Sequence, residues 1–285
     1  MKKKFLAAVM GAAMVINLSP VITFAETAAD NETVAATEAV PDTGAADASA
    51  GEPADNAQET SARVEITDQT SLEAAIAQGG AIDLTGKTIT LERPLTVNSS
   101  VTITGGTLVG TAGVGYNNLV TLTGDSAALD GVTIITAAEN KSALHAYRTV
   151  LTAKDLTIDH TNAADGAPVI INGGSAVFTG NLDLKLGMNS WYGVNVDNAS
   201  ADFSGASIAK IDTPLATQSV VCAENGGSIP GKIANTTEVV TADGQTAYVQ
   251  DEDLPGFLKA KKANDVVSVT LLHDVELSEP LYLEE

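Results

Sequence analysis

Three kinds of side chain in this 285-residue chain recur at spacings that could support chemistry: paired aspartates, an Arg close to a His, and a few aromatic rings. Asp130 and Asp155 lie 25 residues apart near the ends of short apolar runs, with Asp159 close by. Two carboxyls held within about 5 Å on neighbouring repeats would suit general acid–base or glycosidic chemistry. Aspartates at corners, however, ordinarily bond the amides of their own turn. Arg148 follows His145 by three residues. As the base of a sugar lyase, such an Arg would need a facing Ca²⁺ cluster of carboxylates, and the sequence offers no more than one carboxylate on any outward face. We see no phosphate-cradling Gly loop, no metal spacing of Cys and His, and no Ser-His-Asp arrangement. No catalytic residue, metal or cofactor is therefore expected.

The aromatic rings point elsewhere. Trp191 and Tyr192 sit in Asn189-Ser190-Trp191-Tyr192-Gly193, and Tyr116 in Gly115-Tyr116-Asn117, in a chain with 4% aromatics. Exposed rings give an amphipathic contact surface, which makes Tyr116, Trp191 and Tyr192 candidates for stacking on a sugar. The alternative is that they pack over the turns beneath them.

A repeat must position these residues. Pairs of apolar residues two apart recur at Leu95/Val97, Val120/Leu122, Leu144/Ala146, Val169/Ile171, Val194/Val196 and Val220/Cys222, at intervals of 24 to 26 residues. A second register follows at Ile103, Leu129, Ala153, Phe178 and Phe203. A third follows at Leu108, Ile134, Ile158, Leu182 or Leu184, and Ile208. Turn-forming runs such as Asn172-Gly173-Gly174-Ser175 and Asp197-Asn198-Ala199-Ser200 separate the first register from the second. Within each run, apolar and polar residues alternate with the period of a half-buried strand.

One such repeat cannot bury its own inward side chains, whereas stacked repeats join them into a column. The expected fold is all-β: a single-stranded right-handed parallel β-helix of about 25 residues per coil and roughly six to seven coils. A β-sandwich or an α/β fold would not keep three registers in phase. Outward positions then fall at Thr96, Thr121, His145, Ile170, Asn195 and Val221 on the first strand, and at Thr102, Ala128, Thr152, Val177 and Asp202 on the second. On the third they are Thr107, Thr133 and Thr157, then Asp183 if Leu182 and Leu184 both point inward, then Ser207. Asn98, Asn172 and Asp197 suggest a partial corner ladder, and Cys222 takes an inward slot as inert core. Thr70–Ala77 reads as a short helix with a Ser or Thr N-cap and an acidic first turn, closing the N-terminal end of the column.

Outside the repeat, Lys2–Lys4, the apolar run Phe5–Ile16 and Thr23-Phe24-Ala25 form the three-part pattern of a secretory signal peptide over residues 1–25. No Cys stands near the cleavage site for a lipid anchor, and no membrane insertion is expected after cleavage. Residues 26–62 carry nine acidic residues and no Lys or Arg, a composition expected to stay disordered as an acidic spacer. The expected β-helix covers residues 63–234. Residues 63–285 keep 27 acidic against 12 basic residues, a net of −15. Such a surface argues against nucleic-acid partners and against simple electrostatic capture of polyuronates. A single Cys excludes an intrachain disulfide.

Residues 235–285 hold an echo: Leu91-Glu92-Arg93-Pro94-Leu95-Thr96-Val97 returns as Leu277-Ser278-Glu279-Pro280-Leu281-Tyr282-Leu283. With a possible cap helix over Leu254–Lys262 and a strand over Val266–Leu272, this segment is expected to be a connection followed by the opening of a second, truncated β-helix module of a longer chain, the alternative being that it caps the stack in another way. The Asn-x-Ser/Thr triplets at Asn98, Asn140, Asn198 and Asn235 are expected by chance in so Thr-rich a chain.

Over residues 64–233 these registers resemble the pectin-lyase-like superfamily of parallel β-helices. The Leu-x-x-Pro-Leu-x-Val opening, followed by Val101-Thr102-Ile103-Thr104-Gly105-Gly106-Thr107-Leu108, looks like β-helix surface proteins of Gram-positive bacteria. The resemblance implies either a polysaccharide lyase or hydrolase, or a non-catalytic adhesin, because fold alone does not carry activity. The expectation that fits the residues is a secreted or cell-surface module, monomeric within a longer chain, contacting an extracellular glycan or host surface.

Overall fold

A computed structural model describes residues 65–212, 215–231, 233–277 and 279–283. The signal-peptide and linker expectations (residues 1–62) lie outside the described residues. The rest is a β-solenoid of about six turns.

The chain enters through helix α1, Gln69–Gln78. Its N-cap is Asp68 rather than a Ser or Thr, and its first turn holds no acidic residue. The Asp68 carboxylate accepts from the Ser71 amide while Ser71 Oγ accepts from the Asp68 amide, a reciprocal capping box. Leu72 and Ile76 face down onto the column and are buried. Gln69, also buried, ties the helix to the first coil: its Nε2 donates to the Arg93 carbonyl and its Oε1 accepts from the Glu92 amide, each at 2.9 Å.

The first coil holds β1 (Gly80–Asp83) and β2 (Thr88–Leu91). The second holds β3 (Leu95–Val97), β4 (Val101–Thr104) and β5 (Thr107–Gly110). The third holds β6 (Asn118–Leu122), β7 (Ser126–Asp130) and β8 (Thr133–Ile135). In the next three coils the short strands merge into β9 (Ser142–His160), β10 (Val169–Leu186) and β11 (Tyr192–Asp212). All of these pair in parallel with the coil above or below.

Strands merge because the corners stay paired. Positive φ values mark these corners: Arg148, Gly173, Gly174 and Asn198 at the first, and Gly131, Asp155 and Gly180 at the second. Next to Gly173, Gly174 has no room for a side chain, since a Cβ would lie 2.4 Å from the Thr149 carbonyl oxygen.

The predicted registers line up. Leu95, Val120, Leu144, Val169 and Val194 are successive partners, as are Ile103, Leu129, Ala153 and Phe178, and all are buried. Phe178 and Phe203 stack with ring centroids 4.7 Å apart and planes 3° from parallel. In the third register Leu184, not Leu182, partners Ile158, and after a bulge Leu184 pairs with Ile211 rather than with Ile208.

The phase fails at the last coil. Strand β12 (Ser219–Glu224) pairs Val194 with Val221 and Asn195 with Cys222. Val221 is therefore inward, and Cys222 leaves the inward slot expected of it. Cys222 is nevertheless buried, and Asn195, expected outward and exposed, is buried as well. The run Val220-Val221-Cys222-Ala223 is apolar throughout and buried on both faces, so alternation cannot set its phase.

Beyond β12 the ladder turns antiparallel, through β13 (Thr236–Thr241), β14 (Thr246–Gln250) and β15 (Val266–Leu271) in the order β12-β14-β13-β15. Part of the expected connection thus forms a hairpin, β13–β14. Tyr248 packs into the main column, while Val239, Ala247 and Val249 build a second small core with Leu254, Phe257 and Leu258 of helix α2 (Leu254–Lys259). Leu277, Leu281 and Leu283 of the echo pack against this core, without forming a strand as Leu95–Val97 do.

Candidate functional site

The 25-residue period that aligns the core also aligns the loops entering the first strand of each coil. Tyr116, Lys141, Asp165 and Trp191 occupy successive loops along one edge. Their backbones are laddered: the Lys141 amide donates to the Asn117 carbonyl at 2.9 Å, and the Trp191 amide to the Gly166 carbonyl at 2.7 Å.

The side chains meet across this ladder. Tyr116 is 57% exposed and Trp191 is 46% exposed. The Lys141 ammonium lies over both rings, 5.8 Å from the Tyr116 centroid and 5.4 Å from that of Trp191, within the range of cation–π attraction. The Tyr116 hydroxyl donates to the Asp165 carboxylate, 2.8 Å from each oxygen, which raises the tyrosine's pKa. The sequence-selected Tyr116 and Trp191 thus form one cluster. Tyr192 touches Trp191 edge-on at 6.4 Å, but it is half-buried beside Cys222 and Glu224. Burial pushes its phenol up, as it pushes the Cys222 thiol up to about 12. Lys141 and Asp165 were not selected from sequence, although counting 25 residues on from Tyr116 reaches Lys141 directly.

The loops are pinned by polar side chains, most of them buried. Under Tyr116, Asn140 Nδ2 donates to the carbonyls of Thr111 and Gly115, and Asn117 Nδ2 donates to the Val114 carbonyl. Asn140 is fully buried, so this triplet is structural. Under Trp191, Gln218 Nε2 donates to the carbonyls of Gly187 and Ser190 at 2.9 and 2.7 Å. His160, also buried, spans the two loops: Nε2 sits 3.0 Å from the Lys141 carbonyl and Nδ1 2.9 Å from Ser190 Oγ. A carbonyl only accepts, so Nε2 carries the proton and Nδ1 accepts from the serine hydroxyl. This is the geometry of a nucleophile and its base. Ser190 Oγ, however, also accepts from the Gly187 amide and is only 7% exposed. The pair acts as a staple for the Trp191 loop.

The other candidates disperse. Asp130 partners Lys154, not Asp155, in the ladder. The Lys154 ammonium stands 3.3 Å from both Asp130 oxygens and 3.9 Å from Asp155, so a cation separates the two carboxylates. Asp159 accepts from the Thr161 amide of its own turn, as corner aspartates do, and Asp155 accepts from the Asn181 amide of the next coil. His145 Nδ1 lies 3.1 Å from Asn118 Nδ2, and burial first, then Lys141, lowers its pKa. Arg148 lies over the Tyr147 ring at 5.2 Å. The corner ladder runs Asn172–Asp197–Asn225, with bonds of 2.6 and 2.8 Å. No protein-family model, curated protein or solved structure matches this chain.

Proposed function

We propose that this chain is an extracellular, non-catalytic β-helix module that binds glycans through the edge carrying Tyr116, Lys141 and Trp191, in the manner of the pectin-lyase-like surface adhesins its sequence resembles. The observation that carries the reading is the pair of exposed rings held on a laddered, internally stapled edge. Rings presented on a rigid support lose little conformational freedom on binding, and sugar rings present flat apolar faces to such a surface. The signal-peptide pattern supports export, and the net charge of −15 over residues 63–285 supports a ligand that is not a polyanion. The echo of Leu91–Val97 at Leu277–Leu283 supports reading the end of the chain as the opening of a second module.

The test is binding of the secreted chain to immobilised plant, bacterial and host glycans, with product release measured in parallel, with and without Ca²⁺. Tyr116→Ala and Trp191→Ala should each weaken binding about tenfold or more, by loss of a stacked ring, with an unchanged thermal midpoint. Glycan binding untouched by both variants removes this edge as the site. Turnover of any glycan replaces the adhesin reading with a lyase or hydrolase.

A further inference from the structure

Building on the glycan reading, we infer that the ligand carries a free ammonium group, as an unacetylated amino sugar does, and that Lys141 holds its place in the unliganded protein. Of the cations in the coils, Arg93 pairs with Glu73 at 2.5 Å and Lys154 with Asp130. Lys87 caps the Ile66 carbonyl. Arg148 lies over one ring, that of Tyr147, whereas Lys141 lies over two, those of Tyr116 and Trp191. Two ring faces that hold an ammonium at this range form a cation-accepting cage.

The surroundings agree in sign. Asp165 places a carboxylate against the Tyr116 hydroxyl, at the rim of the cage. The protein beyond the linker carries a net −15, a field that draws cations and repels polyanions. A lysine on a flexible stem can swing out to solvent at small cost, leaving both rings to an ammonium that arrives attached to a sugar. The sugar ring adds stacking area that Lys141 lacks.

The sign of one substitution separates this inference from its opposite. Were Lys141 the partner of an anionic sugar, Lys141→Met would weaken binding. Here Lys141→Met should tighten binding of a glucosamine tetramer about fivefold, because the competing cation is gone. Asp165→Asn should weaken it. Trp191 is the chain's single tryptophan, so its fluorescence reports occupancy directly. The wild-type, Lys141→Met and Asp165→Asn proteins would be titrated at mildly acidic pH with the glucosamine tetramer, its fully N-acetylated counterpart, a galacturonate tetramer and a lysine tetrapeptide. We expect the order glucosamine over N-acetylglucosamine over galacturonate. Equal binding of the acetylated and free forms would overturn the ammonium inference while leaving glycan binding intact. The same holds if Lys141→Met weakens binding of the glucosamine tetramer. Equal binding of the peptide would remove the sugar from it. Binding of none of the saccharides would overturn both this inference and the glycan reading for this edge.

Discussion

A histidine buried with both ring nitrogens committed as one donor and one acceptor cannot gain a proton without losing a bond. His160 is in that position, and burial lowers its pKa from 6.5 to about 4. The unfolded chain, with an ordinary histidine, therefore binds more protons than the folded one between those two values. Stability is fully present above pH 6.5 and is lost progressively as the pH falls toward 4. The full loss is roughly 3 kcal/mol. Urea midpoints from pH 7 to pH 5, above most carboxylate titration, should fall in the wild type. They should fall much less in His160→Gln, which starts lower at pH 7. The loop carrying Trp191 should open first, so the tryptophan signal should change before the far-ultraviolet signal does.

At the scale of elements, each strand is too short to stand alone and holds its place by pairing with its counterparts one period away. Side chains in one register are therefore packed as a column. Phe178 rests over Ala153, and Phe203 stacks on Phe178, so a small residue beneath makes room for two rings above. Phe178→Ala would remove one ring and leave the other facing a cavity. A cost of about 3–5 kcal/mol is expected, read as a lower denaturant midpoint with an unchanged slope. Corners work differently. Left-handed residues at Arg148, Gly173 and Asn198, and at Asp155 and Gly180, turn the chain within β9, β10 and β11, whose ladder shifts register only between Val177 and Asp183.

At the scale of the molecule, a solenoid has two open ends, and each is closed by a different device. Helix α1 seals the first coil with Leu72 and Ile76, while the antiparallel strands β14 and β13 extend the ladder past β12. Tyr248 reaches back into the main column from that hairpin. A chain ending at residue 234 would expose Val221, Ala223 and the free edge of β12. Such an edge invites pairing with another copy. Light scattering should show concentration-dependent association of the truncated chain where the full chain shows none.

What the sequence by itself determined is the solenoid: its period, its first two registers through β11 and the helix that closes its first coil. Those features repeat, and a burial pattern sampled five or six times identifies the inward face at Leu95, Val120, Leu144, Val169 and Val194 without reference to any partner. The same counting failed where repetition stopped. At Val220–Ala223 four apolar residues in a row left the phase open, and only pairing with β11 and β14 placed Val221 inward and Cys222 against Gln245. The ring pair was half legible, since Tyr116 and Trp191 were visible as rare aromatics in equivalent loops. Their union through Lys141 and the His160 staple beneath required the tertiary structure. Contacts between side chains three coils apart depend on how loops of unequal length bend, and that bending is settled by buried polar bonds whose residues carry no periodic signature of their own.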